Sequence, residues 1–197
     1  MSLNHVGPPF YHVDRRGDLS VGDRLDLSWE LEIYGKNESY NLDSQYKEMM
    51  REDFPRGLSA HGARYAHSYY EIDRNSEYYL ENTLIPTPTP VSDGKHNCEL
   101  IENGINEWLA ERIRRDSFPG ERSRLQSYFA WPNKDAIDTF DDESYSIFKV
   151  EPRDFDIRDM NLLNDIDGMQ GYWAGKEAKN SNLEVVMHTP INIIDIC

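Results

Sequence analysis

Cysteine is nearly absent: the 197 residues include only Cys98 and Cys197. Two thiols, one of them on the last residue, build neither a disulfide framework nor a zinc pattern, so a cysteine-stapled secreted scaffold is excluded. Long apolar runs are missing as well. No stretch approaches the roughly 20 apolar residues of a membrane span. No basic segment followed by an apolar run stands at the N-terminus, so no secretory signal is visible. A cytoplasmic chain without membrane contact is the expectation.

The common site motifs are also lacking. Gly17 and Gly22 do not form a dinucleotide fingerprint, and there is neither a Walker phosphate loop nor a nucleophile-elbow serine. Asp165, Asp167 and Gly168 imitate part of a calcium loop, but Leu163 and Ala174 occupy its first and last ligand positions. His61 and His67 stand six apart and miss the four-residue spacing that puts two ligands on one helix face. No metal centre is expected.

Positive charge is scarce. Twenty-one Lys and Arg face 36 Asp and Glu, a formal charge of −15. Such a surface repels phosphate backbones over about 8 Å at physiological salt, which disfavours bulk nucleic-acid binding. The run Asp135, Asp138, Asp141, Asp142, Glu143 reads as a solvated helix end. The arginines Arg112, Arg114, Arg115 and Arg122 read as solvated helix charge balanced by Glu111, Asp116 and Glu121.

Hydrophobic residues make up 38% of the chain and aromatics 12%, with twelve tyrosines. That composition, at this length, buries a sizeable core, and one folded domain is expected. The stretch Phe10–Leu19 reads as a strand ending at Phe10-Tyr11-His12 and a charged turn with Gly17, and a second short extended piece follows over Asp23–Leu27. Leu27, Trp29, Leu31 and Ile33 alternate as in a half-buried strand. Asp43-Ser44 caps a helix that stops near Pro55, and residues 60–84 read as helical. Pro86, Pro88 and Pro90 form an extended connector. The clearest helix carries Cys98, Ile101, Ile105, Trp108, Leu109 and Ile113 as an apolar stripe behind Asn97 as its cap.

Strands follow at 125–131, 145–150, 183–187 and 191–196. A helix over Ala136, Ile137 and Phe140 and a turn at Tyr172–Gly175 stand between them. Helices early and strands late point to an α+β domain over 1–197, with a helical insertion at about 43–116.

Three stretches carry groups fit for a site. Tyr11-His12 lies on the first strand. Ser127-Tyr128-Phe129-Ala130 lies on a middle strand, with Ala136 on the helix after it. Glu184 interrupts the apolar late strand Leu183-Val185-Val186-Met187, and a carboxylate there needs the surface or a polar partner. Each has a plainer reading: His12 as a hydrogen-bonded strand histidine, and Glu184 as an edge-strand charge.

In this order the three stretches resemble the ADP-ribosyltransferase superfamily, in its histidine–tyrosine–glutamate branch, and more closely a bacterial family of unknown function grouped with it. The resemblance covers about a third of the chain and leaves 34–97 unmatched. It implies a split, mixed β-sheet core with flanking helices and NAD, as substrate, in a cleft. Glu184, His12 and Tyr128 then form the catalytic set. Glu184 stabilises the oxocarbenium-like centre, His12 holds a ribose hydroxyl, and Tyr128 or Phe129 stacks on the nicotinamide. Tyr11 and Val13 line the same strand, and Arg15, Arg16 or Arg124 meets the pyrophosphate. Val13-Asp14 stands where the family places a small residue or threonine.

The geometric expectation is that His12 faces Glu184 across a pocket, with Tyr128 or Phe129 between. The acceptor is undefined. A second reading is a non-catalytic acidic module that keeps the fold and binds a protein partner. A third pairs Glu184 with an Asp of the Asp154–Asp159 region for hydrolysis.

Overall fold

Val, Ile, Phe and Met concentrate in the last quarter of the chain, and the two longest strands form there. A computed structural model describes residues 7–15, 17–29, 44–65, 96–137 and 145–197. In chain order the elements are β1 (Phe10–Asp14), β2 (Arg24–Leu25), α1 (Ser44–Asp53), α2 (His96–Ser117), β3 (Ser127–Ala130), β4 (Ser146–Asp159), α3 (Ile166–Trp173) and β5 (Leu183–Ile196). Short 3-10 turns cover Arg124–Gln126, Lys134–Ala136 and Met160–Asn164. This is an α+β chain in two compact units: Met1–Leu27 with Ser127–Cys197, and Ser28–Gln126. Of the expected helical stretch 43–116, the described helices α1 and α2 fall in the second unit.

In the first unit β4 and β5 pair antiparallel along almost their whole length, from Phe148↔Ile196 to Asp159↔Leu183. On the outer edge of β4, β1 pairs from Phe10↔Val150 to Asp14↔Ser146. The other edge of β5 carries β2 at Asn192 and Ile191 and β3 from His188 to Val185. Trp131, directly after β3, exchanges two backbone hydrogen bonds with Tyr11 at 3.0 and 2.8 Å. The strands β1, β4, β5 and β3 thereby close into a ring.

One face of these strands buries Phe10, Leu25, Ala130, Phe148, Val150, Val185, Met187, Ile191 and Ile193 as one cluster. Each of these side chains larger than alanine contributes about 1.5–3 kcal/mol when withdrawn from water.

Several expectations change. Every strand pair among the described residues is antiparallel, where a mixed sheet was expected. No described helix crosses over to bring neighbouring strands parallel. The strands foreseen at 183–187 and 191–196 are one strand. Pro190 breaks the sequence pattern but sits at a bulge, where Arg153 of β4 opposes both Thr189 and Pro190, so its missing N–H costs no ladder bond. β4 likewise runs nine residues beyond Val150, although Pro152 and the charges after it look loop-like. The expected helix over Ala136 and Ile137 is a single 3-10 turn capped by Asn133, and Phe140 lies outside the described residues. So do the strand positions Leu31 and Ile33, the helix beyond residue 65, the proline connector and Asp138–Glu143.

The turn expected at Tyr172–Gly175 is the end of α3. Asp165, part of the false calcium loop, is its N-cap and accepts from Gly168 N at 2.7 Å. A Cβ on Gly168 would stand 2.5 Å from the Leu162 carbonyl oxygen, so only glycine lets α3 lie against the turn before it. Gly175 ends the helix at φ 69°.

Asp159 fastens both ends of the excursion between β4 and β5. It is fully buried. Its carboxylate accepts from Asn161 N at 3.1 Å, Asn182 N at 2.9 Å and Ala178 N at 2.7 Å. Asp159→Ala strands three amide donors and is expected to cost about 3 kcal/mol. Urea unfolding of the full chain measures this, and a loss below about 1 kcal/mol would contradict the role.

In the second unit, Ser28 and Leu58 bridge two extended segments. Residues 60–65 are helical. Ser59 Oγ donates to the Leu125 carbonyl at 3.1 Å and accepts from Gly62 N at 3.0 Å. Any Cβ at Gly62 would meet the Leu125 carbonyl oxygen at 1.9 Å.

Candidate functional site

The strands carrying the three motif stretches are neighbours. β3 lies between β1, reached through the Tyr11–Trp131 bridge, and β5, reached through the ladder Ser127↔His188 to Ala130↔Val185. His12 Nδ1 donates to the Phe129 carbonyl at 2.7 Å. A carbonyl oxygen only accepts, so the proton sits on Nδ1, and in the neutral ring Nε2 is an acceptor. Phe129 pairs with Val186, and Glu184 follows two residues along β5. The Tyr128 ring stands edge-on to His12 with centroids 6.3 Å apart. Its hydroxyl donates to the Asp26 carbonyl at 2.9 Å.

The side chains do not share one face. Val185 and Met187 belong to the cluster that contains Phe10, and Tyr128 packs against it. Alternation along the strands places His12 on that face with Phe10, and sends Glu184 to the opposite one. There Glu184 is buried, and its Oε1 accepts from the Tyr172 hydroxyl at 2.7 Å. The expected pocket with His12 facing Glu184 across an aromatic ring is therefore not the arrangement found. A one-residue alternation decides it.

The face of Glu184 carries a row of charge. Arg158 is its cross-strand partner. Arg158 stands 3.7 Å from Asp156, and Asp156 stands 3.0 Å from His188 Nε2. Glu184 is not a solubility charge on an edge strand, because β5 carries β3 on one side up to Val185 and β4 on the other, and the group is only 4% exposed. Among the Asp154–Asp159 carboxylates, Asp159 is committed to three amides and Asp156 to His188 and Arg158.

Tyr11 and Val13 project from β1 on the side away from His12, and Phe129 from β3 on the side away from Tyr128, again by alternation. Arg15 is exposed just after β1. Arg16 lies outside the described residues.

Arg124 is elsewhere engaged. It belongs to the second unit, is 6% exposed, and its Nε and Nη2 donate to Glu107 at 3.0–3.2 Å. His61 Nε2 approaches the same carboxylate at 3.0 Å. A buried guanidinium already paired with a buried carboxylate is a structural ion pair, since freeing it for a pyrophosphate would strand Glu107.

One turn along α2, Glu111 is buried and takes Arg114, Arg115 and the Ser123 hydroxyl at 2.7–2.9 Å. These charges, expected to be solvated, staple α2 to the segment after it. Leu109 and Ile113, placed on the apolar stripe, are only half-buried.

Burial pushes the Glu107 carboxyl up, but Arg124 and His61 outweigh it and hold the group far below its ordinary value of 4.5. A depressed carboxylate stabilises the native state above the unfolded-chain value. That contribution drains away as pH falls below about 4.5 toward the native value. Urea midpoints between pH 7 and pH 3 should fall steeply in the parent. Glu107→Gln should flatten that fall while lowering stability at pH 7 by about 3 kcal/mol, because it leaves Arg124 buried without its charge partner. Parallel pH curves for the two proteins would refute it.

Sequence reasoning gave no role to Arg158 or His188 and, although it placed Tyr172 in the same stretch as Glu184, did not foresee their bond. Tyr172 was read as turn. The signals were present in outline: Tyr172 ends an Asp-capped segment, and Arg158 and His188 alternate correctly with the core residues of their strands.

The class defined by this architecture is an α+β protein built on an antiparallel sheet. The chain belongs to the family described as protein of unknown function DUF2441, whose model matches residues 10–197. No curated protein matches it. Among the described residues no helix is long and apolar enough to cross a membrane, and no cluster of three or more His, Cys, Asp or Glu is arranged to hold a metal ion.

Proposed function

We propose that the chain uses NAD, as an ADP-ribosyltransferase or NAD glycohydrolase. The observation that carries this reading is the adjacency of the three motif strands, with β3 between β1 and β5, although Glu184 takes the face opposite His12 and Tyr128.

In this reading the His12 Nε2 lone pair accepts from a ribose hydroxyl, its tautomer set by the Phe129 carbonyl. Tyr128 offers its ring to the nicotinamide. The bond from the ribose anomeric carbon to the nicotinamide nitrogen breaks, and its electron pair leaves with nicotinamide. The Glu184 carboxylate stabilises the resulting oxocarbenium charge until an acceptor or water attacks. In place of Arg124, Arg158 is the guanidinium on Glu184's face that is suited to the pyrophosphate.

A second reading is favoured by a specific observation. Glu184 projects opposite to His12, which suits a non-catalytic module that keeps the fold. The −15 charge then favours a basic protein partner.

Calorimetric titration with NAD and a nicotinamide-release assay separate the two readings. The enzyme reading expects binding and release, with release falling about a hundredfold in Glu184→Gln and NAD affinity falling about tenfold in His12→Ala. A folded protein that neither binds NAD nor releases nicotinamide excludes the enzyme. Binding without release leaves the module.

A further inference from the structure

We infer that Tyr172 is a positioning residue for the Glu184 carboxylate. The inference rests on the proposed reading of Glu184 as the group that meets the substrate.

The connection between β4 and β5 is far longer than a hairpin needs, and its parts converge on Tyr172. Asp159 closes its two ends through three amides. Asp165 caps α3, and Gly168 lets α3 press against Leu162. Met169, Tyr172 and Trp173 are the side chains α3 buries, and Tyr172 is fully so. The Trp173 ring holds it edge-on at 5.1 Å. The outcome is one hydroxyl 2.7 Å from Glu184 Oε1.

A carboxylate on a strand turns about its χ angles unless something stops it. Here one oxygen is held from α3, and the plane of the other is thereby set relative to β5. Catalysis by a single carboxylate depends on such placement, since small displacements of a reacting group cost large factors in rate. A buried tyrosine also needs an acceptor for its own hydroxyl. A purely structural role therefore predicts a different outcome: lost stability with unchanged turnover.

Steady-state nicotinamide release by the full chain tests this, using Tyr172→Phe alone and in the Glu184→Gln background, with melting curves for every variant. Phenylalanine keeps the ring in its place and removes only the donor. The expected result is a kcat about tenfold lower, a KM for NAD within about twofold of the parent, and no further loss when the change is added to Glu184→Gln.

A parental kcat in Tyr172→Phe overturns the inference while leaving Glu184 catalytic. So does an equal fold-loss in both backgrounds, or a loss confined to KM. A parent that neither binds NAD nor releases nicotinamide removes the underlying reading, and the inference with it. Should Tyr172→Phe fail to fold, Asp165→Ala, on the exposed cap of α3, is expected to lower kcat without changing KM. An unchanged kcat there overturns the inference.

Discussion

The β4–β5 ladder is the constraint on which the first unit depends. Two strands of fourteen residues pair antiparallel from one end to the other, and every other strand is placed by its edges. β1 attaches to β4, while β2 and β3 attach to β5. Because pairing and pleat are shared, the ladder's register also decides which face each side chain takes. The bulge at Arg153 absorbs Pro190, so the ladder continues through a residue with no N–H to give.

That register divides the chemistry. The cluster face holds Phe10, Tyr128 and the aliphatic core, with His12 in the middle of β1. The opposite face holds Glu184, Arg158, Asp156 and His188, roofed near Glu184 by α3. Glu184 is buried together with a hydrogen-bond donor, which is the condition under which an acid is tolerated in an otherwise apolar strand. The second unit follows the same rule with more charge. Glu107 and Glu111, four residues apart on α2, each collect partners: Arg124 and His61 at the first, Arg114 and Arg115 at the second.

Much of the fold was legible because it rests on local pattern. Alternation marked β5 on both sides of Pro190, the apolar residues of β4 appeared through Val150, and the helix around Trp108 showed in its spacing. Boundaries failed where a tertiary contact overrode a local signal. Pro152 and Pro190 look like strand ends but stand at a bulge, and Asp165-Ile166-Asp167-Gly168 looks like loop but opens a capped helix. The candidate site was legible as three stretches on three strands. It was not legible as a set of directions.

By itself, the sequence determined the residue types available, the alternation along each strand and the polar groups that stand out within it: an acid within the apolar strand at Glu184 and a histidine at His12. Only the tertiary structure decided the partners. Arg124 went to Glu107 instead of a ligand, Glu184 went to Tyr172, and His12 went to the Phe129 carbonyl. The reason is physical. Alternation is a property of one strand and can be read along it, whereas a buried charge is satisfied by groups 12, 17 or 117 residues away in the chain, and only the packed register brings these within hydrogen-bond distance.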